Sequence, residues 1–300
     1  MNLSVTISGL TRLYGDDLAA MLDTARLADE AGVDELVLPD HVIMGPRLDR
    51  YPFGRFPYGP EEPWLEPLTA LAAFAGATER VRLSTGVLIA PLRPAVLLAK
   101  TAATLDVLSR GRLDLGVGTG WQPEEYDASG VPFEGRVARL DDTVRACHAL
   151  WTQDPPVTFA SPTVSFGDTW CLPRPLQAGG IPVSFGGGGN RGTARRIAEL
   201  GAGWLPIGVT PVEELDRGIG LIREACAAIG RDPATVGVRA GLAVATDGDG
   251  GVDLDRTLAP VPGLADLGVT TVSVGLGRFL RTPTDVEPFL RSLVTALRDV

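Results

Sequence analysis

Residues 110–121 read RGRLDLGVGTGW, a strand-like run that climbs into three glycines at alternate positions, Gly116, Gly118 and Gly120. A dinucleotide-binding sheet would need G-x-G-x-x-G, a helix opening inside the motif, and an acidic residue some 20 positions on. Here the spacing is G-x-G-x-G, and Trp121 and Pro123 follow in place of a helix. The stretch therefore reads as a strand whose end lacks Cβ atoms. Either a flat ligand or tight interior packing can use the close approach that this permits.

On both sides of this stretch, strand and helix alternate. Strand patterns stand at 3–9, 34–39, 82–90, 112–120, 181–187, 203–208, 236–245 and 270–276. Helical spacing follows at 16–31, 67–78, 94–109, 136–151, 192–200, 211–229, more weakly at 254–267, and at 283–299. In the fourth helix Val137, Leu140, Val144, Cys147 and Trp151 share one face. Two proline-containing insertions, 42–66 and 154–180, follow the second and fourth strands, and the later one is expected to hold a short β-pair. Such alternation implies parallel pairing with right-handed crossovers. Eight units fit a closed (β/α)8 TIM barrel forming one domain over 1–300, with an open doubly wound sheet as the alternative. In a barrel, chemistry belongs at the C-terminal ends of the strands.

Composition narrows the partners. The chain is 45% hydrophobic, ample for a large core, and its formal charge of −10 argues against a nucleic-acid or anionic-membrane partner. Lys100 is the only lysine. Cys147, Cys171 and Cys226 form no CxxC and read as reduced thiols of a cytosolic protein. With a strand already at 3–9, no signal peptide is expected, and no apolar run reaches the roughly 20 residues of a membrane helix. The expectation is a soluble cytoplasmic protein.

A second glycine cluster, Gly186, Gly187, Gly188 and Gly189, leaves the fifth strand and leads into a helix. Free backbone N–H groups and a positive helix end make an anion site, to which Arg191, Arg195 and Arg196 would add charge. A plain flexible loop is the alternative. His41, one of two histidines, ends the second strand, and its titration range suits proton transfer. The plainer possibility is a strand-capping histidine. Asp40 could orient it, although adjacent strand residues face opposite ways. His148 sits on the margin of an amphipathic helix and reads as structural.

Metal catalysis finds no support: the histidines lie far apart, with no HExxH. The stretch DGDGGVD (247–253) departs from a calcium loop at its fifth and twelfth positions, Gly251 and Leu258, and reads as a turn. There is no GxSxG, so a serine hydrolase is disfavoured. The 42–66 insertion carries Tyr51, Phe53, Phe56, Tyr58 and Trp64 with Arg47, Arg50 and Arg55, on the catalytic side. It reads either as a lid shielding a bound ring or as an excursion packed on its own aromatics. Trp64 and Trp121 are candidate walls of a substrate pocket.

Three segments in order, ARLADEAGVDELVLPDHV (25–42), LRPAVLLAKTAATLDVLSRGRLDLGVGTGWQPEEYDASGVPFEGRVARLDD (92–142) and IPVSFGGGGNRGTARRIAELGAGW (181–204), resemble the luciferase-like monooxygenase superfamily, with the flavour of its F420-dependent branch. The resemblance implies a TIM barrel, commonly a homodimer, with a deazaflavin or flavin across the strand ends. It places Asp40 and His41 beside the reactive ring face. It puts a non-proline cis peptide at Gly86–Val87 behind the ring, Thr119 and Gly120 along the cofactor's chain, and the cluster from Gly186 to Gly189 at its phosphate. One departure stands out. Where a deazaflavin sugar-phosphate dehydrogenase has a catalytic glutamate after the G-T-G, this chain has Trp121, with Glu124 and Glu125 following later. The leading expectation is hydride transfer between coenzyme F420 and a small organic substrate, with His41 handling a proton. Reduced FMN with dioxygen is the alternative chemistry, and a non-catalytic cofactor carrier the alternative class.

Overall fold

The computed structural model describes residues 1–249 and 251–300. Eight strands pair in one wholly parallel ring: β1 Asn2–Thr6, β2 Glu35–Leu38, β3 Arg82–Thr85, β4 Leu113–Gly118, β5 Val183–Gly186, β6 Gly203–Leu205, β7 Gly237–Gly241 and β8 Thr271–Gly275. β1 lies between β2 and β8, and the ring closes where Leu83 and Ser84 of β3 meet Leu113 and Asp114 of β4. The TIM barrel expected from the alternation is therefore the fold, and an open sheet is excluded.

The main helix after each strand is, in order, α1 Met21–Ala31, α2 Pro67–Ala77, α3 Ala95–Leu108, α4 Arg136–Thr152, α5 Arg191–Leu200, α6 Val212–Ala228, α7 Val261–Leu267 and α8 Val286–Arg298. Their apolar stripes explain the packing. In α8, Val286, Phe289, Leu290, Leu293 and Val294 recur at helical spacing and all are buried. Each fully buried Leu or Phe of this kind contributes roughly 2 kcal/mol. No helix among the described residues is long and apolar enough to cross a membrane.

Strand residues alternate between helix-facing apolar side chains and barrel-facing small or polar ones. On β4, Leu113, Leu115 and Val117 are buried outward, while Asp114, Gly116 and Gly118 alternate with them. The interior is unusually polar for a barrel, where branched apolar side chains dominate. Arg239 of β7 reaches across to Glu35 of β2, and Arg82 pairs with Asp114. Burial pushes the Asp114 carboxyl up, and the Arg82 charge opposes that shift.

Several boundaries differ from the sequence reading, each for a local reason. The third strand does not run through to 90. It ends at Thr85, and a two-residue strand, Leu88–Ile89, resumes beyond the cis peptide Gly86–Val87. The 254–267 helix is split at Ala259, because Pro260 has no N–H to continue it. Val137, expected on the buried face of α4, is 47% exposed, whereas Leu140, Val144, Cys147 and Trp151 are buried. The 154–180 insertion does hold an antiparallel pair, Val157–Ala160 with Ser165–Thr169. In the 247–253 turn, Gly250 lies outside the described residues; Asp247 Oδ1 accepts from the N–H groups of Asp249 and Gly251. All three cysteines are free and buried.

Candidate active site

A cavity of about 960 Å³ opens at the C-terminal mouth of the barrel, and all eight strand ends contribute to its wall. One side is built from β3, β4 and β5. The alternating glycines of the G-x-G-x-G stretch find their explanation here. A Cβ on Gly116 would collide with the Thr85 carbonyl, one on Gly118 would meet Val87 Cγ2 at 2.6 Å, and one on Gly120 would press on Ile89. Across the same side chain, Gly186 would meet Val87 Cγ1 at 2.6 Å. The glycines thus admit the 85–89 segment, and Val87 is clasped between β4 and β5. Gly118, Thr119, Gly120, Gly186 and Gly187 still face the cavity, as do Gly86 and Val87.

Gly188 and Gly189 do not line the cavity. Gly189 lies against Gly218 of α6 and the Trp204 ring, a packing position. Beside Gly187 the space is open, since a Cβ there would meet only Thr193 Oγ1, at 3.8 Å. The charges expected around this loop also resolve differently. Arg196 turns to Asp141 and Arg195 to Glu199, and Asn190 caps α5 by accepting from Thr193 N–H. On this side of the cavity the lining arginine is Arg136, the first residue of α4, which stacks its guanidinium 3.8 Å from the Phe133 ring centroid.

Asp40, expected to act beside His41, is committed elsewhere. Its side chain is only 1% exposed, and Oδ2 accepts from Ile89 N–H at 2.8 Å and from Arg93 Nη1 at 2.6 Å. Arg93 also donates to Glu66, which caps α2 through Thr69 N–H. Burial works against the Arg93 charge, yet these two carboxylates hold its pKa above the ordinary value. Asp40 therefore clamps the 86–93 segment onto β2. Asp40 and His41 both line the cavity, but they hold different partners.

His41 finds its partner in a residue the sequence reading did not assign. Its Nδ1 lies 3.3 Å from Glu125 Oε2. Glu125 is fully buried, and its other oxygen accepts from Val42 N–H at 2.6 Å. A carboxylate can only accept, so Nδ1 carries the hydrogen and Nε2 is left with no protein partner among the described residues. Glu125 arrives on a six-residue helix, Pro123–Ala128, where a helix had been discounted. The signal was present: Pro123 at the helix start and acidic residues in the first turn.

Rings crowd around this pair. Phe56, Trp64 and Trp121 stand edge-on to His41 at centroid separations of 5.7, 4.8 and 6.1 Å. Tyr51 meets both Phe56 and Trp121. The 42–66 insertion therefore packs across the cavity, and not only on its own aromatics. Its root is tied down where Gln122 Oε1 accepts from Gly45 N–H. Both proposed pocket tryptophans line the cavity, while His148 lies on α4 beside Trp151, away from it. Among the described residues no group of three or more His, Cys, Asp or Glu is arranged to hold a metal.

The comparisons agree with this fold. The family model described as luciferase-like monooxygenase matches residues 1–250. An uncharacterised protein of Mycobacterium tuberculosis is 31% identical over 296 residues, covering 95% of this chain and 93% of that protein. The structure of the monooxygenase RslO1 of Streptomyces bottropensis superimposes with a TM-score of 0.82 at 22% identity, over 100% of this chain and 99% of that one. An F420-dependent secondary alcohol dehydrogenase, solved with an F420–acetone adduct, gives 0.78 at 18% identity, over 100% of both chains. The chain is an enzyme of the luciferase-like monooxygenase family.

Proposed function

We propose that the protein is a coenzyme F420-dependent oxidoreductase acting on a small organic substrate that carries a hydroxyl or carbonyl group. The observation that carries this reading is His41 in the cavity wall, its Nδ1 held by the buried Glu125. Oxidising a C–OH group by hydride loss also releases a proton, and the wall holds a group placed to take it.

The residues present fit such a cofactor. A cavity of about 960 Å³ has room for a tricyclic ring with its substrate. Gly86, Val87 and Gly186 would back the ring, Thr119 and Gly120 would border its side arm, and Gly187, with open space beside it, and Arg136 would hold the phosphate. Arg136 Nε is buried without a hydrogen-bond partner among the described residues, as a guanidinium awaiting an anion would be. When bound, the deazaflavin supplies the hydride acceptor or donor at its ring carbon C5.

The chain's own part is proton handling and placement. Glu125 holds the Nδ1–H tautomer of His41, which leaves Nε2 to accept the substrate's hydroxyl proton, or to return it to a carbonyl oxygen in reverse. Asp40 keeps the 86–93 backing in place without touching the proton. The aromatic rings exclude water and lie along the substrate's body. A homodimeric assembly belongs to the same reading.

Titration with F420 and with FMN, followed by quenching of Trp64 and Trp121 fluorescence, tests it. Saturable micromolar F420 binding without FMN binding is the expected result. FMN binding without F420 binding would overturn the deazaflavin assignment in favour of reduced flavin and dioxygen.

A further inference from the structure

The cavity has the opposite electrostatic character from the chain that encloses it. The whole protein carries a formal −10, yet four arginines line the cavity, Arg50, Arg136, Arg239 and Arg278, against one carboxylate, Asp40. Asp40 is already held by Arg93, Arg239 by Glu35, and Arg50 approaches Glu124 at 3.5 Å. Arg136 and Arg278 have no carboxylate partner among the described residues. Arg278 is exposed at the rim, and a concave wall of one sign concentrates ligands of the other at its mouth.

The two unpartnered arginines stand on different sides of the mouth. Arg136 follows β4, the strand paired with β5, and Gly187, just past the end of β5, lines the same cavity. Arg278 follows β8, which lies four places round the ring from β4 and adjoins β1. One cofactor phosphate accounts for Arg136 and leaves Arg278 unexplained. Its neighbourhood is aromatic. Tyr51, whose phenol is pushed up by burial, feels the Arg278 charge pulling it back down. From Tyr51 a continuous wall of rings, Tyr51–Trp121 at 5.3 Å and Phe56–Trp121 at 5.4 Å, leads to His41.

We infer that the substrate is an aromatic acid. Its carboxylate is held by Arg278, its ring lies along Tyr51, Phe56 and Trp121, and its reacting carbon is brought to His41. The inference rests on the reading of the β4–β5 side as the cofactor's anion site. A planar guanidinium matches a carboxylate in two parallel hydrogen bonds, which an ammonium or an amide cannot reproduce.

Calorimetric titration of the cofactor-free protein with 2-naphthoate and with the neutral 2-naphthamide tests the assignment, alongside Arg278→Gln and Arg278→Lys. The expected result is a preference of roughly ten-fold or more for naphthoate in the wild type. That preference disappears in R278Q, returns in part in R278K, and leaves naphthamide affinity unchanged throughout. F420 titrated into R278Q should bind as it does to the wild type. Equal naphthoate affinity in R278Q and wild type overturns the inference. So does a joint loss of naphthoate and F420 binding, which would put Arg278 at the cofactor's anion. Because the naphthoate comparison is made without cofactor, a wild type that bound no F420 would count against the redox reading alone.

Discussion

Between β3 and β5 the cavity wall is made by leaving side chains out; between β2 and the 42–66 insertion it is made by crowding them in. On the first side Gly116, Gly118 and Gly186 stand so near Thr85 and Val87 that a Cβ on any of them collides. On the second, Phe56, Trp64 and Trp121 surround His41, and Tyr51 joins them. The glycine wall is part of the barrel's own packing, so its residues answer first to stability. The aromatic wall is laid over the mouth by an insertion, so its residues answer first to the ligand. The His41–Glu125 pair sits at the foot of the second wall and ties it to the short helix after β4.

The largest effect that would sharpen this contrast is on turnover. His41→Gln lowers kcat about 10³-fold while F420 still binds, and Glu125→Gln lowers it about 10²-fold with KM little changed. Glu125→Asp recovers part of the loss, and the E125Q pH–rate profile moves relative to wild type. Unaltered kinetics in H41Q would return His41 to a packing role. Next comes the glycine wall: Gly116→Ala costs about 3 kcal/mol of unfolding free energy in a denaturant titration, because the Thr85 carbonyl cannot retreat from inside a barrel. A midpoint equal to wild type would break the assignment of that wall to stability.

Tyr51→Leu does the reverse. Losing its edge-to-face contacts weakens aromatic ligand binding by about 1 kcal/mol, with the thermal midpoint nearly unmoved. A large fall in thermal stability would make the insertion part of the core. The smallest effect lies away from both walls. Asp29, at the foot of β3, accepts from Glu79, Arg80 and Val81 N–H at 3.1, 2.8 and 2.6 Å. Burial opposes its charge, but these hydrogen bonds hold the carboxyl below its ordinary 3.8. Its contribution is complete above that value and is lost as pH falls through the lowered pKa. Asp29→Asn therefore removes roughly 1 kcal/mol at neutral pH and flattens the acid limb of a melting-temperature profile.

How much of this was legible in the sequence follows the same divide. Strand and helix periodicity carries the barrel, because alternation and 3.6-residue spacing are local and repeat eight times. The cis bond at Gly86–Val87 stands where the family resemblance implied; of the residues it set along the cofactor, Thr119, Gly120, Gly186 and Gly187 line the cavity, and Gly188 and Gly189 do not. What approaches the glycines was not legible. G-x-G-x-G announces close contact, and only the fold shows that residues 85–89 make it. The Asp40–Arg93 pair spans 53 residues and the His41–Glu125 pair 84, separations that no local pattern reports. The 42–66 insertion has no period to read; the placement of its rings depends on contacts with Trp121 and His41 that form only when the barrel closes.

The most direct measurement is a crystal structure of the protein soaked with F420. The predicted result is the ring lying against Gly86–Val87, its phosphate beside Arg136 and Gly187, and His41 Nε2 facing the reactive edge across room for a substrate. A phosphate on Arg278, or a ring bound outside the barrel mouth, would contradict it.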